Sequence, residues 1–392
     1  MALLLADPAT TPHPGGVLVI DDSGDRKDGK TTAHIGRQWL GRLGKTDNGI
    51  VTVTTCWADE NLYYPLHVAP YSPAHHFPRG KSDPDFRTKL QIAAELARTA
   101  KAAGATFRAV AADCAYGDQD GFRRQLAAAG LPFVMALKPS HGTWSYGKDA
   151  YTPADAAGAL SWTDPERPGD WTAVERTFRD GHTETWWAAD ARLGWWGPDG
   201  NVRLVVATAD PDTLPAQATW YLGTHLPRPG GPREANSPEP AADLHEVVRI
   251  YGIRHWIEQS YKQVKDELGC ADFQVRSDTA ISRHQTLVTC AFSSVGIPGS
   301  PGPQTVGPSS SQQSRRLPRR QRDRLRGGPS GTHQPHPASW PKAIRAVRAW
   351  LAPWTTIQRC WRAWTNAPPP PELQALINAV GAGHPLDLYS PV

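Results

Sequence analysis

Residues 243–268 read DLHEVVRIYGIRHWIEQSYKQVKDEL, and four polar side chains of this stretch are spaced so as to share one helix face. At about 100° per residue, Tyr251, Arg254, Glu258 and Lys265 fall within roughly a 60° arc, which sets one carboxylate among a phenol and two cations. Taken alone, such a stripe is a solvated face with Arg254 and Glu258 as an i,i+4 ion pair, contributing about 0.2–0.5 kcal/mol. Carboxylates also stand at the ends of two strand-like runs. The run Val17–Ile20 ends in Asp21-Asp22-Ser23-Gly24, and Thr106–Ala112 ends in Asp113. Three carboxylates packed together repel until one takes up a proton or a cation reverses the preference. Mg²⁺ takes hard oxygen ligands and keeps its waters, so a few carboxylates and a substrate phosphate suffice to hold it. Two such ions about 3.5–4 Å apart deprotonate a water or sugar hydroxyl and neutralise the leaving oxygen of a phosphodiester.

The elements that must position these acids are marked in the chain. Asp243 and Glu246 form a capping box, Pro240 lies just upstream, and Gly269 stands as the stop, so 243–268 is expected to be one helix. Its core-facing stripe is Ile250, Ile253, Ile257, Tyr261, Val264 and Leu268, within roughly an 80° arc. The β-branched run Val17–Ile20 has the pattern of a buried strand. Val51–Cys56 and Leu66–Val68 follow as strands, then a helix over Phe86–Ala103 closed by Gly104. Next come a strand over Thr106–Ala112 with Phe107, Ala109 and Ala111 alternating, a short helix to Ala129, and a strand over Phe133–Leu137. Between 140 and 226 the segments WTAVERTF, HTETWWAAD, VRLVVAT and TWYLGT alternate with period two between Gly/Pro/Asp turns, which is β structure.

The spacing Tyr-x2-Arg-x3-Glu-x6-Lys resembles the signature of a large group of bacterial insertion-sequence transposases of the DDE type. Further matches, VLVIDDSGDRKDG, AVAADCAYGD and TWYLGTHL, stand in the order that group requires, and the resemblance runs from about Val17 to Phe292. It implies an α/β fold, a ribonuclease-H-like mixed sheet with flanking helices and a β-rich insertion domain. It makes Asp21, Asp113 and Glu258 the metal-binding triad, holding two Mg²⁺ ions for which Mn²⁺ can substitute. Asp22 is the rival for the first position; Asp21 is preferred because the group's Asp-x-Ser/Thr is met by Asp21-Asp22-Ser23 and because Asp21 continues the face of Val17 and Val19. Tyr251, Arg254 and Lys265 are implied to hold DNA phosphates. Trp220 matches a tryptophan that related enzymes stack on a flipped base, its alternative being a core position on a half-buried strand. Lys138 either reaches a phosphate or is an ordinary strand-end lysine. The implied activity is metal-dependent cleavage and strand transfer at insertion-sequence ends, with double-stranded DNA (transposon ends and target) as partner and a homodimer in the DNA complex. The alternatives are a nuclease of the same fold without strand transfer, or an inactive remnant that only binds DNA.

The chain of 392 residues then divides as follows. Residues 1–139 are the first part of the catalytic core, 140–226 the β-rich insertion, 227–292 a loop and the Glu-bearing second part of the core. Residues 293–339 are a basic, disordered linker with a cluster from Arg315 to Arg326, and 340–392 carry carboxy-terminal helices. Members of the group place a helical DNA-binding region before the first Asp, whereas some sixteen residues precede the strand here, so an amino-terminally truncated copy is expected. A net charge of +4 permits a nucleic-acid partner without requiring one. Five widely spaced cysteines without a Cys-x-x-Cys pair indicate neither a zinc site nor a disulfide framework, and His67, His75 and His76 have no acidic or Cys partner at ligand spacing. With no signal peptide and no stretch of about 18 apolar residues, the expectation is a cytoplasmic protein without a membrane partner.

Overall fold

The computed structural model of the chain describes residues 10–143 and 150–295, together with Leu4, Leu5 and Pro8. Apart from 293–295, which finish the last described helix, the basic linker expected over 293–339 and the helices expected over 340–392 lie outside the described residues.

Val17, Leu18, Val19 and Ile20 have no exposed surface, because the strand they open, β1 (Val17–Arg26), is central and covered on both faces. Turn connections lead to β2 (Gly36–Leu40), β3 (Lys45–Ala58) and β4 (Tyr63–Pro70). β3 runs antiparallel to β1 along one edge, and β2 and β4 pair in succession along its other edge. The sequence pattern missed β2. Its inward positions are Gly36, Gln38 and Leu40, and a buried Gln38, whose Nε2 donates to the Gly49 carbonyl (3.2 Å), interrupts the apolar alternation.

α1 (Lys89–Ala102) begins three residues later than Phe86, because Thr88 caps it in a reciprocal box with Gln91. Ala93, Ala94, Ala97 and Ala100 are its buried residues, and their small side chains let it lie close to β3. This helix is the crossover that allows β5 (Ala109–Ala112) to pair parallel to β1. β5 is shorter than the Thr106–Ala112 run and is buried at every residue instead of alternating, as befits an interior parallel strand. α2 (Cys114–Gly117) and α3 (Asp120–Ala128) lead to β6 (Phe133–Ala136), parallel to β5.

The Trp-rich stretch supplies α4 (Pro153–Gly158), β7 (Thr172–Thr177), β8 (Thr183–Ala191), β9 (Arg203–Thr208) and β10 (Trp220–Thr224). These strands add to the same sheet, because β10 pairs antiparallel with β6. The order among the described residues is β2-β3-β1-β5-β6-β10-β9-β8-β7, with β4 on β3. A mixed sheet with helices packed on it, opening in the order four strands, helix, strand, two helices, strand, is consistent with the ribonuclease-H-like α/β fold.

The stretch expected to be one helix forms two, α5 (Leu244–Ile253) and α6 (His255–Asp266). Asp243 caps α5 by accepting from the Glu246 N–H (2.7 Å), but Glu246 does not complete the box. Its carboxylate takes the Arg108 guanidinium instead, at 2.6 Å from Nε and 3.3 Å from Nη2, since a charged two-pronged partner outweighs a single backbone N–H. Gly269 does end the helical stretch, at φ 67°, with the Cys270 N–H returning to the Val264 carbonyl. α7 (Asp278–Val295) then packs against β4.

The junction of β6 and β10 carries a pH-sensitive group. His225 stacks on Phe133 and accepts the Phe133 N–H at Nδ1 (3.3 Å), which requires a neutral ring. Burial, then Arg233 and Arg108, lower its pKa from 6.5 to about 4. The folded state therefore binds fewer protons than the unfolded chain between these values, so stability is full above pH 6.5 and falls as pH drops towards about 4. His225→Gln should flatten that part of the profile by an amount on the order of 3 kcal/mol at its acid end. Thermal denaturation of both proteins from pH 7.5 to 4.5 tests this; parallel curves would contradict it.

Candidate active site

Strand register creates the site. Ile20 pairs with Ala112 across the parallel β1–β5 ladder, so the next residues, Asp21 and Asp113, emerge side by side at the same end of the sheet. Asp21 is half-buried, and its Oδ1 accepts the Asp22 N–H (2.7 Å). Burial foremost, then the charge of Asp113, raise its pKa from 3.8 to about 7, with Arg254 pulling the other way. Asp113 caps α2, its Oδ1 accepting the Ala115 N–H (2.9 Å). Asp22 points to other partners: its Oδ2 accepts from the Tyr116 hydroxyl (3.3 Å) and lies 3.2 Å from Lys89 Nζ. No motif announced Lys89, whereas Tyr116 stands within the AYGD segment after Asp113.

Arg254 connects the third acid to the first two. It sits at the break between α5 and α6, where the Arg254 N–H reaches back three residues to Tyr251 and the Ile257 N–H reaches back three to Arg254. The His255 ring bonds the Gly252 carbonyl through Nδ1 (2.7 Å), taking up an acceptor at the break. From this position Nη1 donates to Glu258 Oε1 (2.7 Å), and Nη2 lies 3.9 Å from Asp113 Oδ2. Burial disfavours the guanidinium's charge, but Tyr251, Asp21, Asp113 and Glu258 outweigh it and hold the pKa above its usual value. Among the described residues the Nε of Arg254 is buried without a partner. Glu258 is the exposed member of the group, at 60%. Among the described residues no three His, Cys, Asp or Glu side chains stand together closely enough to hold a metal ion, and Glu258 is turned to Arg254.

Residues 2–191 match a family model described as DDE superfamily endonuclease. The probable transposase for insertion sequence element IS701 of Microchaete diplosiphon is 31% identical over 260 residues, 66% of this chain and 60% of that protein. Over residues 2–191, a little under half of its length, the chain is thus similar to DDE superfamily endonucleases. The match covers less than two thirds of the relative's length.

The remaining residues singled out in the sequence occupy three places. Tyr251 lies at the end of α5 beside Arg254, and burial pushes its hydroxyl up to about 12. Its ring meets Trp220 edge-on at 5.0 Å, and Trp220 in turn lies 4.1 Å from Trp186. Trp220 is thus a half-buried member of an aromatic cluster of β8, β10 and α5. Lys138 is turned to Asp118, with its N–H donating to Asp118 Oδ1 (3.0 Å) and Nζ 3.4 Å from Asp118 Oδ2. Lys265 is committed to β1 instead of open to solvent. Its Nζ donates to Ser23 Oγ (2.6 Å), to the Gly24 carbonyl (3.3 Å) and to Asp25 Oδ1 (2.7 Å).

Lys265 and Asp25 are 7% and 11% exposed, so removing the cation strands a buried carboxylate. Lys265→Met should destabilise the protein by about 3 kcal/mol or more in chemical denaturation. A loss under about 1 kcal/mol would place the pair with ordinary surface bridges.

Proposed function

We propose that this chain is a DNA transposase that cleaves and joins DNA at insertion-sequence ends, with Asp21, Asp113 and Glu258 as the metal-holding acids. The observation that carries the reading is the side-by-side emergence of Asp21 and Asp113 from paired parallel strands, with one guanidinium reaching both Asp113 and Glu258. DDE nucleases generally use divalent metal ions, and the donor chemistry here fits one. The donors are hard carboxylate oxygens: Asp21 and Asp113 emerge side by side, and Glu258 would join them on leaving Arg254. When bound, two Mg²⁺ ions would activate a water or 3′ hydroxyl and neutralise the departing oxygen.

The chain's own groups account for the rest. Arg254 neutralises Asp113 and Glu258 and limits their mutual repulsion before substrate arrives. Lys89 and the Tyr116 hydroxyl occupy Asp22, which leaves Asp21 as the aspartate of β1 without a cation at bonding distance and favours it as the ligand. Tyr251 holds its proton at neutral pH, so it serves as a donor to phosphate, not as a base. Residues 140–226 are the insertion between the second Asp and the Glu, and they bring Trp220 to Tyr251. The partner in this reading is double-stranded DNA, held by backbone phosphates.

Asp21→Asn, Asp113→Asn and Glu258→Gln should each reduce Mg²⁺-dependent nicking of duplex DNA by at least about 10³-fold while leaving metal-free DNA binding within about threefold of wild type. Asp22→Asn should retain most activity. Loss of nicking with Asp22→Asn alone would transfer the first ligand to Asp22, and nicking that survives all three substitutions would remove the proposed site.

A further inference from the structure

Arg176 of β7 faces Glu184 of β8 directly across the antiparallel ladder. Opposite charges so placed ordinarily pair. Here they do not. Glu184 accepts the Trp186 indole N–H at Oε2 (3.2 Å), and its Oε1 lies 3.6 Å from His182 Nε2. Among the described residues the Arg176 guanidinium has no carboxylate or carbonyl partner, and Glu184 is the one charge that acts on it from a distance. It is held by aromatic rings instead, with its carbon 4.8 Å from the ring centres of Phe178 and Trp186 and 5.1 Å from that of Trp220. Its other neighbour is the backbone of α5. A Cβ at Gly252 would come within 2.3 Å of Nη2, so the glycine after Tyr251 is what admits the side chain. Burial lowers the pKa of the group from its usual value, as expected for a half-buried cation without a counter-ion.

A guanidinium stacked on aromatic faces keeps its orientation while its in-plane N–H donors remain available. Planar donors of fixed direction beside aromatic rings suit a phosphodiester of a nucleic-acid strand whose bases can stack nearby. Trp220 and Tyr251, which lead to Arg254 and the acids, are the adjoining groups. We propose that Arg176 binds a backbone phosphate of the DNA strand that passes Trp220 and Tyr251 on its way to the carboxylate site. This rests on the reading of the protein as a DNA transposase.

The test uses the full chain without divalent ions and a labelled duplex with a short single-stranded overhang, with affinity measured from about 50 to 300 mM salt. Arg176→Gln, which keeps planarity and bulk, should lower the slope of log affinity against log salt by about 0.7–0.9, one phosphate contact, and Arg176→Lys should restore it. An unchanged slope with Arg176→Gln, whatever the affinity, would reduce Arg176 to a packing residue between β7 and α5. Should the glutamine variant not fold, phenylglyoxal modification of the wild type decides. Saturating DNA should block modification of Arg176 by mass spectrometry, and undiminished modification would overturn the proposal. A wild type that binds DNA yet shows no Mg²⁺-dependent nicking speaks against the transposase reading and leaves the slope comparison intact.

Discussion

Two carboxylates must emerge from neighbouring strands at the same end of one sheet, and the parallel pairing of β1 with β5 is what forces them together. Ile20 opposite Ala112 leaves Asp21 and Asp113 as neighbours whose repulsion the low-dielectric surroundings sharpen. Burial first, and that repulsion second, let the Asp21 carboxyl hold its proton up to about pH 7. Such an arrangement persists because the apolar residues before each aspartate are fully buried, so moving the acids apart would expose the centre of the sheet. Arg254 supplies compensation from the α5–α6 junction far along the chain, reaching Asp113 and Glu258.

The helix that brings Arg254 and Glu258 is registered against these strands by charged side chains that reach across the fold. Arg108, directly before β5, grips Glu246 in the first turn of α5 and donates to the carbonyls of Pro240 and Ala241. Arg203, 1% exposed, binds Asp190 and the Leu226 and Ala242 carbonyls, which ties the entry of α5 to β8 and β9. At the far end Lys265 fastens α6 to Ser23 and Asp25 of β1. The strand that delivers Asp113 and the strand that delivers Asp21 thus each hold one end of the helical pair. Buried pairs of this kind are costly to break singly, which makes them effective in setting register.

The sheet's extension from β6 through β10 to β7 has a positional consequence. It carries Trp186, Trp220 and Arg176 to the side of α5 that presents Tyr251 and Gly252. Aromatic faces, not carboxylates, surround that arginine, so the surface beside the acids is polar in charge and apolar in packing.

Local pattern accounts for much of this protein. The β-branched run Val17–Ile20, the four strands of the Trp-rich stretch, the alanine face of α1, the Asp243 cap and the Gly269 stop are each legible in the chain, because burial, capping and left-handed backbone act within a few residues. The spacing of Tyr251, Arg254 and Glu258 was legible for the same reason, as a helix face. What lies beyond local pattern depends on partners distant in sequence. Gln38 fills an inward strand position because Gly49 offers a carbonyl, Glu246 abandons its capping box for Arg108, and the helix breaks at Arg254 where His255 competes for a helical carbonyl. Lys265, one face with Arg254 in the sequence, is drawn by the buried Asp25 into the body of the fold. The sequence by itself determined which residues are acids, cations and strand ends. Only the tertiary structure decided which charge meets which, because the energy of a buried charge is set by the partner that replaces its water and not by its neighbours along the chain.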